Sequence, residues 1–171
     1  GAYLDTSHVL YESHLRDFSY SDSEGNPELN GKYLALTETD RESVSHLQAL
    51  QEAGLTTLHI LPAFDIATVN EADTVDIDDT IAKLCSVRPA AEVCATESGD
   101  ATIESVLQSY DPATKAAQSL MNDLRDLDSF NWGYDPYHYT VPEGSYATDA
   151  EGKTRIREFR EMVKATHEMD L

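Results

Sequence analysis

Two β-strand patterns flank a helix pattern near the start of this chain. Residues 8–18 alternate, with Val9, Tyr11, Ser13 and Leu15 on one side and Leu10, Glu12, His14 and Arg16 on the other, which predicts a strand. A turn-rich stretch follows over residues 19–31, broken by Gly25, Asn26 and Pro27 and again by Asn30 and Gly31. Residues 40–53 predict a helix. Asp40 stands at the N-cap, Glu42 lies in the first turn, Val44, Leu47 and Leu50 recur at helical spacing, and Gly54 is placed to end it. Residues 56–61 are β-branched and apolar and stop at Pro62, as a buried strand would. Strand, helix and strand in this order form a βαβ unit. Such a unit implies a parallel sheet covered by a right-handed crossover helix.

This regularity breaks over residues 65–130, which hold 14 Asp and Glu against 4 Lys and Arg, a net −10. Residues 79–86, 101–110 and 113–127 predict short surface helices, with Ile81, Leu84, Ile103, Val106, Leu107, Leu120, Leu124 and Leu127 as their apolar stripes. Excursions of this length are functional loops or small inserted domains. Cys85 and Cys94 lie inside this one, nine positions apart. A bridge between them would close a short loop and contribute roughly 2–3 kcal/mol. Two unrelated thiols fit the spacing as well. A zinc site does not, because no second Cys or His pair is near.

Residues 154–169 return to a helix pattern, with Ile156, Phe159, Val163 and His167 in a stripe and Thr154 as a cap. After a βαβα order the next element should be a strand, and none follows before Leu171. The first residues, 1–5, have neither the basic nor the apolar stretch of a signal peptide. No apolar run approaches the roughly 20 residues of a membrane span. The net charge of the whole chain is −20. That argues against non-specific nucleic-acid binding and docking on anionic lipid, both of which need clustered Lys and Arg.

Residues 130–146 are the densest in chemistry. They hold the only tryptophan, Trp132, and four of the nine tyrosines, Tyr134, Tyr137, Tyr139 and Tyr146, with Asp135, His138 and Glu143 among them. Gly133, Pro136, Pro142 and Gly144 restrict the backbone. Rigid rings beside hydrogen-bonding groups suit a sugar, whose C–H faces lie on aromatic rings while its hydroxyls need polar partners. The structural alternative is an aromatic loop sealing a core. Asp76, Asp78 and Asp79 have the chemistry of a calcium site but lack the glycine and distal glutamate of an EF-hand loop, and acidic residues suit a helix N-terminus. His14, His59 and His138 have no metal spacing, and His59 in a strand is expected to be a hydrogen-bonded core residue. No phosphate-cradling glycine loop, Gly-x-Ser-x-Gly or His-Glu-x-x-His motif occurs.

Three segments carry a resemblance. Tyr11-Glu12-Ser13-His14-Leu15-Arg16-Asp17-Phe18-Ser19 resembles the first barrel strand of bacterial type I pullulanases, in the α-amylase superfamily (glycoside hydrolase family 13). The segment from Gly54 to Pro62 is similar to that family's second strand. Asn131-Trp132-Gly133-Tyr134-Asp135-Pro136 resembles its signature, usually preceded by tyrosine and here by Phe130, and residues 141–149 continue the match. The resemblance covers about residues 8–65 and 129–171. The middle is similar in style to the insertion after the second strand of secreted pullulanases, which also carries two cysteines.

The resemblance implies an α/β fold, the first quarter of a (β/α)8 barrel with a helical acidic insertion after strand two. Residues 1–64 would be barrel strand 1, helix 1 and strand 2; 65–128 the insertion; 129–171 the active-site loop and barrel helix 2. Active sites of such barrels lie at the C-terminal ends of the strands. Tyr134 would stack on the sugar next to the scissile bond, with Trp132 and Asp135 in support. The implied activity is hydrolysis of α-1,6-glucosidic bonds in pullulan and branched α-glucans, by a retaining two-carboxylate mechanism. The nucleophile and acid are expected from later strands, so none of the 32 Asp and Glu residues here is nominated as catalytic, Glu12 and Asp17 included. The alternatives are a non-catalytic glucan-binding fragment and an inactive structural piece. The resemblance further implies a Cys85–Cys94 disulfide, no required cofactor with calcium possible in the full enzyme, the remainder of the barrel as partner, and a secreted, periplasmic or cell-surface location.

Overall fold

The computed structural model describes residues 7–171, so the N-terminal residues 1–5 read above lie outside the described residues. The chain divides into two compact units. One contains the residues up to Ala67 together with 132–171; the other is 68–131.

In the first unit, β1 (Leu10–Ser13) pairs with β2 (Thr57–Ile60) in parallel, from Leu10 opposite Thr57 to Ser13 opposite Ile60. The helix between them, α2 (Glu42–Glu52), buries Val44 and Leu47. This is the βαβ order expected. The first strand, however, is shorter than the alternation over residues 8–18 suggests. His14 ends it by turning its ring back, so that Nδ1 accepts the backbone N–H of Asp17 at 3.3 Å and caps the short helix α1 (Leu15–Ser19). Leu15 is therefore a buried helical residue.

Two further expectations are corrected here. Arg41, not Asp40, holds the N-cap position of α2, and it makes no side-chain cap. Its guanidinium is fully buried and turned into the turn-rich stretch. There it donates to Glu38 Oε2 at 2.5 and 3.1 Å, Asn30 Oδ1 at 2.5 Å, the Asn26 carbonyl at 2.8 Å and Asp22 Oδ2 at 3.4 Å. A buried cation persists only with this degree of pairing. Nor is β2 a buried strand. It is half-buried, and His59 is exposed, its Nδ1 3.5 Å from Glu12 across the strand pair.

A second small sheet pairs β3 (Phe64–Ile66) antiparallel with β4 (Pro136–Pro142). The last helix, α7 (Thr154–Glu168), starts from Lys153 with no side-chain cap, so Thr154 is its first residue and not its cap. It buries Glu158, Met162 and Thr166. The expected stripe is displaced: Ile156 and His167 are exposed, Phe159 and Val163 half-buried. Glu158 sets this rotation, because its carboxylate accepts the Thr148 N–H at 2.8 Å and the Thr148 hydroxyl. An open groove of about 440 Å³ runs along the other side, past Phe159, Val163, Lys164 and His167.

Tyr33 and Tyr146 centre the first unit's core. Tyr33 meets Tyr146 edge-on at 5.9 Å and Phe159 at 5.5 Å, and Tyr146 meets His14 at 6.0 Å. Such edge-to-face pairs add about 0.5–1.5 kcal/mol each beyond buried area.

The second unit contains α3 (Ile81–Val87), α4 (Val93–Thr96), α5 (Ile103–Ser109) and α6 (Lys115–Leu124). Thr80 and Thr102 cap α3 and α5, accepting the N–H of Lys83 and Ser105. The apolar stripes form a core of their own: Ile81, Leu84, Ile103, Val106, Leu120, Leu124 and Leu127 are buried together, with Val75 and Val93. Cys85 and Cys94 are disulfide-bonded beside this core and join α3 to α4. Arg88 grips both carboxylate oxygens of Asp126, at 2.7 and 2.9 Å, and the Asp123 carbonyl at 2.7 Å.

Candidate functional site

Trp132, Gly133 and Tyr134 form a loop held against the end of β2. Gly133 has φ +80°, and a Cβ there would lie 2.2 Å from the Pro62 carbonyl oxygen. Only glycine satisfies both the angle and the contact. The next anchor is the Asp135 carbonyl, which accepts the Ala67 N–H at 3.0 Å. Pinned at both points, the loop turns its rings outward: Trp132 is 59% exposed and Tyr134 68%. All three residues singled out in the sequence therefore lie on one short, braced segment. The aromatic segment does not seal a core as a whole; among its tyrosines only Tyr146 is buried.

A polar floor supports this loop. The Glu143 carboxylate is fully buried and accepts the Ile66 N–H at 2.6 Å and the Ser145 N–H at 2.9 Å. The Glu143 N–H donates to Ala63 at 3.0 Å, and the Tyr33 hydroxyl donates to the Glu143 carbonyl at 2.9 Å. Burial, with the nearby Glu143 charge, pushes the phenols of Tyr33 and Tyr146 far up, so both stay neutral. Asp65 faces His138 Nδ1 at 2.5 Å and an Arg155 nitrogen at 3.6 Å. Arg155 also donates to the Pro142 carbonyl at 3.3 Å and to the Ala150 carbonyl.

The chemistry available here is binding and orientation. Flat rings are offered to a ligand's apolar faces, while the nearby carboxylates are engaged, Glu143 by backbone amides and Asp65 by His138 and Arg155. Sequence reasoning missed this floor. Glu143 had one signal, an acid enclosed by Pro142 and Gly144 in a stretch of turn formers. Asp65 and Arg155 had none, since they lie 90 positions apart and meet only through the fold.

Asp76, Asp78 and Asp79 bring carboxylate oxygens within 4.8 Å of one another. Asp76 and Asp79 serve the chain itself. Asp76 Oδ1 accepts the Ser129 N–H at 3.1 Å and its hydroxyl at 2.6 Å, and Asp79 Oδ2 accepts the Asp76 N–H at 2.9 Å and faces Lys83 at 2.7 Å. This fits a braced turn better than a cage of six to eight oxygens for calcium. Among the described residues no helix is long and apolar enough to cross a membrane.

Residues 66–130 match the family described as Pullulanase Ins domain. The chain is 48% identical over 166 residues to a pullulanase of Klebsiella pneumoniae, covering 92% of this chain and 15% of that protein. It is similar to the crystal structure of PulA from Klebsiella oxytoca, with TM-score 0.84 and 44% identity over 96% of this chain and 17% of that one. The likeness to Klebsiella pneumoniae pullulanase complexed with maltotriose has TM-score 0.83 and 42% identity, over 96% of this chain and 17% of that one. The chain thus spans about 15% of the length of the curated relatives it matches.

Proposed function

We infer that this chain, a segment of the pullulanase family with a Pullulanase Ins domain at its middle, belongs to an enzyme that hydrolyses α-1,6-glucosidic bonds in pullulan and branched α-glucans. The observation that carries this reading is the Trp132–Tyr134 loop, braced on β2 and turned outward, in a chain similar to a pullulanase complexed with maltotriose. In this reading the parallel β1–β2 pair and the helices α2 and α7 are the first quarter of a (β/α)8 barrel. The open side of α7 and the unpaired sheet edges are then covered by the remainder of the same barrel.

Tyr134 stacks on a glucose ring beside the scissile bond, while Trp132 and Asp135 hold the loop's shape. Retention of anomeric configuration requires two carboxyl groups roughly 5–5.5 Å apart, and these are supplied from outside this chain. The disulfide and the acidic surface fit a secreted, periplasmic or cell-surface enzyme.

The test is an assay of the intact polypeptide carrying this chain for new reducing ends from pullulan. Tyr134→Ala should lower kcat/KM by about tenfold or more, which is roughly 1.4 kcal/mol of transition-state binding, with unfolding still cooperative. Unaltered kinetics would remove Tyr134 from the site; failure of the parent polypeptide to release reducing ends would overturn the assignment itself.

A further inference from the structure

The β3–β4 ribbon carries exposed rings that the loop of Trp132 and Tyr134 does not use. Tyr137 is 69% exposed, Tyr139 68% and Phe64 41%. They form two measured pairs. Phe64 and Tyr139 have ring centroids 6.0 Å apart, and Tyr137 and His138 lie 4.2 Å apart. The ribbon's register explains the crowding. Phe64 pairs with Pro142 and Asp65 with His138, so β4 advances four residues while β3 advances one. Such a bulge re-aims side chains, and bulges gather next to functional sites. Residues 137–140 are all exposed among the described residues.

Three features define the occupant. A molecule of net charge −20 repels polyanions. The carboxylate on the ribbon, Asp65, is engaged by His138 and Arg155, so it is not available to attract a cation. Neutral apolar faces with hydroxyl and imidazole groups at their edges suit a neutral, polyhydroxylated ligand. The ribbon also continues directly from the Trp132–Tyr134 loop through Pro136. We propose that Phe64, Tyr137 and Tyr139, with His138 fixed by Asp65, form a second α-glucan contact that holds glucose units beyond those reached by Trp132 and Tyr134. This rests on the glucan-binding reading above, and it assigns that site an added length.

The test is calorimetric binding of maltotriose and maltoheptaose to the intact polypeptide. Both are linear α-1,4 chains, so an α-1,6-specific hydrolase leaves them whole. The double variant Tyr137→Ala/Tyr139→Ala should weaken maltoheptaose binding by about tenfold and maltotriose binding by less than about twofold. Tyr137→Phe/Tyr139→Phe, which keeps the rings, should recover most of the loss. Equal losses for both sugars would assign the tyrosines a structural role and overturn the proposal, and so would no loss for either. Protection of both rings from hydroxyl-radical labelling in the sugar-free polypeptide would mean that another part of the protein covers them, which also overturns it. Failure of the pullulan assay is a separate result and bears on the hydrolase reading.

Discussion

Gly133 decides whether the candidate site exists. Its φ of +80° is unfavourable to any side chain, and the Pro62 oxygen occupies the space where a Cβ would go. Gly133→Ala therefore has to lift the loop off β2 or flip its backbone. Either change moves Trp132 and Tyr134 away from their present positions. On the proposed pullulan-hydrolase reading, the expected outcome is a loss of at least about tenfold in kcat/KM on pullulan, since misplacement of about 1 Å is known to cost rate on that scale or above. Limited proteolysis of the variant should show new cleavage within residues 130–136 and none within 68–128. Near-parental kinetics would show that the loop tolerates displacement and that its placement is not what matters. At this scale the sequence was partly legible. The run of Trp132, Gly133, Tyr134 and Asp135 picked out the braced loop, but the reason for the glycine is a backbone oxygen 71 positions away in sequence, at Pro62. His14 and His59 show the same limit. Both sit in or beside strands, yet His14 is buried as a helix cap and His59 is exposed.

The elements were legible where a local period sets them. The βαβ order, the helices of the acidic stretch and the final helix all follow from spacing that a side chain's own neighbours impose. What the period does not determine is which side of a helix finds a partner. α7 turns Glu158 inward because Thr148 offers it an N–H and a hydroxyl, and Phe159 and Val163 of the stripe that spacing favours are left half-buried beside an open groove. The cysteine pair was open in the same way. Spacing allowed a bridge, and the placement of α3 beside α4 makes it. That bridge closes a short loop, worth roughly 2–3 kcal/mol in the chain-entropy account. The unit of residues 68–131 has its own buried core, so the loss should stay local. Cys85→Ser/Cys94→Ser is expected to speed amide exchange in α3 and α4 by about 30- to 150-fold if they open as one unit, with β1 and β2 little altered. Equal acceleration in β1 and β2 would show that the two units unfold together.

For the whole molecule, charge sets limits on stability at both ends of the pH scale, and the limits fall on different units. Asp126 lies within residues 68–131. The hydrogen bond from Arg88 holds its carboxyl below the ordinary range. A lowered folded value gives stability that is present above the unfolded carboxylate pKa, about 4, and lost as pH falls toward the folded one. Asp126 is exposed, so this contribution is small. The tyrosines of the other unit behave in the opposite sense. Burial raises the Tyr33 and Tyr146 phenols, and Glu143 adds to both shifts. A raised folded value gives stability that is complete below the unfolded phenol pKa, about 10, and lost as pH rises from there toward the folded one. Alkali should therefore open the core of β1, β2 and α7, and acid below about pH 4 should loosen the α3–α6 unit slightly. Amide exchange by peptide, from about pH 2 to about pH 11 with intrinsic rates divided out, reads both. Tyr146→Phe removes the ionisable group and keeps the ring that meets Tyr33 and His14. It should cost about 1 kcal/mol or so at neutral pH through the lost contact with His14 Nε2, yet flatten the alkaline loss. An alkaline profile that is the same in Tyr146→Phe and Tyr33→Phe as in the parent would show that phenol ionisation does not limit this fold, and that repulsion within a molecule of net charge −20 sets its upper pH limit instead.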